Sequence, residues 1–400
     1  MDFADTDRAP AAARAPASSG RGTLALYATF GCLGYLLTAL GAVLPELREE
    51  RGLPRAEAAL YPSAFALGLV VVGLVGHRLA VWLGRYALPA ALTALVGGAA
   101  LLATGGGRLG TAAGALVLGL GGAGLVQLVP AALRAAHQGD GTIQIGQANA
   151  VSSAASVLSP IIIGVTLAHD LGWRAAFAIP PALLAVITLL SLTRTPAPST
   201  TPTTPDTPAT PAPPRGFWAR WVDLVLAVGV EFCMVFWAAD FLRSVKESGA
   251  GTATTLSAAF VLGMAVGRAA AGPAVRFGGR PDRLLAFAAL VGIAGFAILW
   301  TSPAPVAVAG LLVTGLGVAL LYPVILGQAL AAWPSQPVRA AARCALASGV
   351  AIGVAPLVLG TLADLTTLRA AVFVAPALLA VLLVRCGWRL RAASWLSPSR

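Results

Sequence analysis

One carboxylate stands deep inside an apolar run. In V-L-A-V-G-V-E-F-C-M-V-F-W-A-A-D, residues 225–240, Glu231 has no charged neighbour on either side, and no other acid lies so far within such a run. Where the run crosses a bilayer, a charge at its centre costs about 2.5 to 3.5 kcal/mol on insertion scales. Desolvation favours the neutral form of a carboxyl, so Glu231 has the chemistry of a group that takes up and releases a proton; a buried structural ion pair is the competing reading. Arg268, in the next apolar run, is its natural partner. At 1.5 Å of rise per residue the two differ in depth by about 8 Å, within reach of two long side chains. An arginine there braces the helices or holds an anionic ligand, and the spacing alone leaves both open.

Further polar residues fall on helical faces. Tyr27, Gly31, Gly34, Tyr35, Thr38 and Gly41 form one continuous small and polar stripe. Such a stripe lines a cavity or lets a neighbouring helix approach closely. Gln127 shares a face with Gly124, Ala131 and Arg134 and is the best candidate for a cavity amide, with Tyr322, beside Pro323, its candidate across the cavity. Trp237 is a cavity or interfacial aromatic. Asp240 falls opposite Glu231 on the helical wheel and reads as a loop-edge acid.

The elements that must position these residues follow from composition. With 58% hydrophobic and 11% charged residues, the 400-residue chain has too little polar surface for a soluble fold. Twelve apolar runs recur, at 23–44, 57–76, 86–104, 110–132, 145–168, 175–193, 219–241, 254–275, 284–301, 305–330, 342–363 and 369–388. Each is near the ~20 residues that cross a bilayer and twice the length of a barrel strand, so all are expected to be helices. The net charge of +11 does not indicate nucleic acid, because the basic residues sit in short loops. With both termini inside, roughly 18 Lys and Arg fall on the cytoplasmic side and roughly 8 outside, the positive-inside bias.

The chain also repeats itself. T-L-A-H-D-L-G-W-R-A-A-F-A-I-P-P-A-L-L-A-V from Thr166 returns as T-L-A-D-L-T-T-L-R-A-A-V-F-V-A-P-A-L-L-A-V from Thr361, and Gly119-Leu120-Gly121 returns as Gly315-Leu316-Gly317. A duplicated hydrophobic half predicts two pseudo-symmetric six-helix bundles. The expected division is a cytoplasmic tail at 1–22, a first bundle at 23–194, a Pro/Thr-rich cytoplasmic linker at 195–218, a second bundle at 219–390 and a tail at 391–400. The first tail lacks the apolar core of a signal peptide. Cys32, Cys233, Cys344 and Cys386 lie in or beside apolar runs without metal-ligand spacing and read as small buried residues.

Four local signatures then carry a resemblance. After the eighth run stands Gly267-Arg268-A-A-A-Gly272-Pro273-A-V-Arg276-Phe277-Gly278-Gly279-Arg280, and after the second a weaker copy, Gly76-H-R-L-A-V-W-L-Gly84-Arg85. The copy has Val81 near the place of an acid and Trp82 at that of a basic residue. The fifth run holds Pro160 and Gly164 before Leu171-Gly172-Trp173-Arg174, and the tenth holds Gly315-L-Gly317-V-A-L-L-Tyr322-Pro323. With twelve helices and a cytoplasmic middle loop, the chain resembles the major facilitator superfamily of bacterial secondary transporters. The resemblance implies an all-α membrane protein with a central cavity lined by helices 1, 4, 7 and 10. It also implies gating loops that include Gly76, Gly84, Arg85, Gly272, Arg276, Gly279 and Arg280. Those arginines read equally as topology charges. In the fifth run Gly146, Pro160 and Gly164 keep part of the frame found in proton antiporters of the superfamily, which favours an exporter.

The expectation is therefore a monomer of the bacterial inner membrane that moves a small organic solute by alternating access, coupled to protons and directed outward. An uptake permease of the same fold and a transport-inactive membrane sensor are the alternatives. No enzyme activity, cofactor or metal is expected. His77, His137 and His169 fall at helix ends or loops without a central nucleophile, and no phosphate-binding loop of the G-x-x-x-x-G-K type occurs.

Overall fold

The computed structural model describes residues 20–137, 141–192, 212–270 and 280–395. The first half holds α1 (Gly20–Glu50), α2 (Arg55–Leu83), α3 (Ala87–Thr104), α4 (Arg108–Ala136), α5 (Thr142–Ala168) and α6 (Arg174–Leu192). The second holds α7 (Arg215–Ser244), α8 (Ala250–Ala269), α9 (Pro281–Thr301), α10a (Ala304–Val318), α10b (Leu321–Ala332), α11 (Pro337–Leu365), α12a (Leu368–Ala371) and α12b (Val374–Trp395). Among the described residues there is no strand. Among the described residues ten stretches are long and apolar enough to cross a membrane; one of them, Arg55–Thr104, carries α2 and α3 together, and α6 adds a shorter apolar helix, Arg174–Leu190. The chain is a multi-pass membrane protein, and each predicted run falls on helix.

The differences from the sequence reading are local. The tenth and twelfth runs are each broken, at Ala319–Leu320 and at Val372–Phe373. In both cases a proline, Pro323 or Pro376, stands third in the new helix, where its missing N–H costs nothing and its ring denies the previous turn a continuous ladder. Helix α7 begins at Arg215, inside the expected linker, with Pro214 in extended backbone before it. Helix α12b runs on to Trp395, into the expected tail. The end of the eighth run, most of the linker, residues 1–19 and residues 396–400 lie outside the described residues.

The two halves use the same pairings. Helices α3 and α4, α2 and α4, α1 and α5, and α3 and α6 pack as α9 and α10a, α8 and α10a, α7 and α11, and α9 and α12b do. One crossing shows how closely: a Cβ placed on Gly119 would sit 2.1 Å from the Phe65 carbonyl oxygen, and one on Gly315 would sit 2.1 Å from that of Phe260. Only glycine lets these helix backbones touch. The sequence repeat is thus a repeat of helix crossings. Between the halves, α2 packs on α11, α5 on α8 and α1 on α7.

Candidate substrate and proton site

Glu231 lies near the middle of α7, whose Val, Ala, Phe and Trp side chains bury most of the helix. Arg268, one residue from the end of α8, reaches back to it, and its Nη2 donates to Glu231 Oε1 at 3.0 Å. The side chains are 15% exposed for the glutamate and 40% for the arginine. Among the described residues the bond is single: one carboxylate oxygen and one of five guanidinium N–H groups are engaged. Tyr322, on α10b, stands close enough to feel both charges, with Ser348 of α11 near its hydroxyl. Three sequence candidates, Glu231, Arg268 and Tyr322, are thereby brought together in the second half.

The other candidates are distributed differently. The Tyr35 hydroxyl donates to the Ala176 carbonyl at 2.6 Å, and Thr38 Oγ1 to that of Ser156 at 2.9 Å. These bonds tie α1 to α6 and α5, and Gly34 faces the Ser152 backbone of α5, so this part of the stripe serves close packing. Tyr27, nearer the start of α1, donates to Gln147 of α5. Gln127 rests on α2 beside Gly76, with its amide 3.5 Å from the Val72 carbonyl. Trp237 is buried and donates to the Pro356 carbonyl at 3.1 Å, joining α7 to α11. Of the loop motifs, Gly84 ends α2 at φ 51°, a backbone state that favours glycine. Arg85 stacks on Tyr86, and Arg280 caps α9. Gly272, Arg276 and Gly279 lie outside the described residues. In α5 Gly146 is open, Pro160 is buried, and Gly164 abuts Gly251 and Thr255 of α8.

Two charged groups were not visible in the sequence. Asp240 is no loop-edge acid: its side chain is 2% exposed and binds Arg55 Nε at 2.9 Å and Arg48 Nη2 at 3.5 Å, both from the other half. Around it, Arg243 pairs with Glu46 and Glu49 of α1, and Asp364 of α11 accepts the backbone N–H groups of Arg55 and Ala56 at 3.0 and 2.7 Å. Asp364 thus caps the first turn of α2 from across the boundary. These bonds seal the halves together at the end remote from Gly20, called here the far end. Beside the seal, Lys246 donates to the Trp300 and Ser302 carbonyls, and burial followed by the Arg369 charge holds its ammonium below the usual lysine range. The second group lies at the opposite end of the second half. Fully buried Asp223 meets Arg385 at 2.5 Å and Arg389 at 3.0 Å, while Asp282 meets Arg220 and Arg389 at 2.9 Å each. That lattice joins α7, α9 and α12b. Its signal was a set of acids and arginines on three helices whose proximity no local spacing reveals.

Two helical bundles repeating one set of crossings, an ion pair on a mid-helix carboxylate and a seal across one end fit the fold class of secondary transporters. The model of the Major Facilitator Superfamily matches residues 26–248, and the chain belongs to that family. No curated protein sequence matches it. Solved structures share the fold at low identity. A bacterial homologue of the human lysosomal transporter Spinster, inward-facing and occupied, matches at 13% identity and TM-score 0.71, over 92% of this chain and 96% of that one. The nucleoside transporter NupG matches at 14% and 0.74, over 92% and 98%. A D-xylose–proton symporter matches at 15% and 0.69, over 91% and 96%.

Proposed function

We propose that this protein moves a small organic solute across a bacterial inner membrane by alternating access, coupled to protons through Glu231. It acts as a monomer with both termini in the cytoplasm. The observation that carries the reading is the Glu231–Arg268 pair, whose carboxylate is held midway along α7. The far-end seal supports it, since polar bonds between halves hold one access state and break in the other. Proton coupling also fits the neighbours whose names call them proton symporters.

Export is the proposed direction, on the α5 frame of Gly146, Pro160 and Gly164. Cells loaded with cargo that fail to release it down its own gradient would contradict it. The coupling is tested in proteoliposomes loaded with a pH-sensitive dye and screened with metabolites. Glu231→Gln is expected to keep cargo exchange and to lose the accompanying pH change. Unchanged proton-coupled flux in that variant would remove Glu231 from the mechanism.

A further inference from the structure

We infer that the cargo is an organic anion, bound through a carboxylate or similar oxyanion to Arg268, and that a proton on Glu231 travels with it. The inference rests on the proposed coupling role of Glu231 and adds the charge of the cargo and the sense of the coupling.

The argument begins from an asymmetry between the partners. A cationic cargo that took Glu231 would leave Arg268 without a counter-charge, and a guanidinium does not discharge itself at any pH a cell meets. An anionic cargo that took Arg268 would leave Glu231 without a counter-charge. A carboxyl in a desolvated site resolves this by taking up a proton. Only the second exchange keeps the site neutral throughout. The closed pair has zero net charge, and so does the set of anion, Arg268 and protonated Glu231.

The geometry suits that exchange. Arg268 offers a planar fork, with one N–H engaged and 40% of its side chain exposed, and such a fork matches a planar oxyanion in bidentate fashion. Tyr322 adds a hydroxyl group in the same region. Among the described residues the surroundings supply no competing charge at the pair, Arg343 of α11 being stacked on the Trp218 and Trp333 rings. Of the elements packed on α7, α8 brings Arg268, α10b brings Tyr322 and α11 brings Cys344 to this region. Arg385 and Arg389 of α12b are held by Asp223 and Asp282, and residues 22–45 of α1 carry no charged side chain. In the first half, α5 has none along its whole length.

Proton and anion therefore bind with positive linkage, each improving the affinity for the other. They cross together, so the direction of net movement is set by both gradients. Outward movement of an acid made inside the cell carries its proton out with it. An exchange in which proton and cargo alternate on one carboxylate is excluded by the same reasoning.

The test uses the purified full chain in detergent and three probes of one shape: benzoate, benzamide and benzylammonium. Calorimetry in buffers of different ionisation enthalpy counts the protons taken up. Benzoate is expected to bind at least tenfold more tightly than either other probe, with about one proton taken up per anion. Its affinity is expected to fall as pH rises, by up to about tenfold per pH unit, because one proton binds with each anion. Glu231→Gln should bind benzoate without proton uptake and without that pH dependence. Arg268→Gln should lose the binding, and Arg268→Lys should weaken it while keeping the proton count, a pattern that a merely bracing arginine does not give.

Tighter binding of benzylammonium, benzoate binding without proton uptake in the native chain, or no benzoate binding would overturn the inference. A native chain that couples protons through Glu231 but prefers the cation defeats only the inference. Coupling that survives Glu231→Gln defeats the proposed function itself.

Discussion

Replacing Gly164 by alanine should open the far end. In the structure a Cβ at this position would lie 2.1 Å from Thr255 Oγ1 and 2.6 Å from both the Gly251 carbonyl oxygen and the Thr255 nitrogen. The hydroxyl can rotate away, but the two backbone atoms cannot. Against an ordinary contact of at least 3.4 Å, α5 and α8 must part by about 0.8 Å. Overpacking of this kind costs about 1 to 3 kcal/mol. The strain exists only while α5 and α8 are pressed together, so it weighs against this state and not against one in which the halves separate there. The population ratio should move roughly 5- to 150-fold toward the open far end. Spin labels on cysteines introduced at Leu171 and Leu365, which are 72% and 75% exposed on opposite halves, report that distance. A second pair at Trp82 and Trp388 reports the other end, and the four native cysteines are buried. The first distance should lengthen and the second shorten. Adding Thr255→Ala should not restore the native distances, because the backbone clash stays. An unchanged far-end distance in a folded Gly164→Ala protein would refute the account of Gly164 as a contact of this state.

Two further substitutions probe the charges that the helices bury. Asp240→Asn leaves Arg55 without its counter-charge and Arg48 with Glu49 alone, and breaking a buried pair costs about 3 to 5 kcal/mol. The same far-end label pair should lengthen, and an unchanged distance would assign the seal to its other bonds. Asp223→Asn strands Arg385 inside the second half and leaves Arg389 with Asp282 alone. The thermal midpoint of the purified protein should fall by several degrees, more than with Asp282→Asn, whose carboxylate is 18% exposed; equal effects would contradict the ranking by burial.

What could be read from the sequence divides along physical lines. Apolar runs of bilayer length carry their own evidence, so twelve of them pointed to the helices, and the duplicated Thr166 and Thr361 stretches pointed to the halves. Glu231 was conspicuous because a lone acid among Val, Ala and Phe has no local excuse, and Arg268 followed from helical rise. The small stripe on α1 was ambiguous, because glycine, threonine and tyrosine serve a cavity wall and a helix contact alike. At Gly34, Tyr35 and Thr38 the contacts of α5 and α6 decide it. Asp240 and Asp223 were misjudged or passed over for one reason: each stands near a helix end, where an acid is usually solvated, and each is buried by arginines that arrive from distant parts of the chain. The breaks before Pro323 and Pro376 needed the backbone, since the prolines inside α4, α5 and α11 interrupt nothing comparable.

The carboxylate of Asp364 over the first turn of α2 has a further consequence. When the far end opens, the amides of Arg55 and Ala56 lose their acceptor and the arginines of the seal lose their acids, yet all of these groups emerge into solution, where water and dissolved ions replace what was lost. The seal is therefore a lock whose strength is shared with the medium. Its ionic attractions reach about 10 Å in ~0.1 M salt and about 3 Å in ~1 M. The resting balance between the two faces of this transporter is thus a property of the protein together with the salinity of the solution that bathes it.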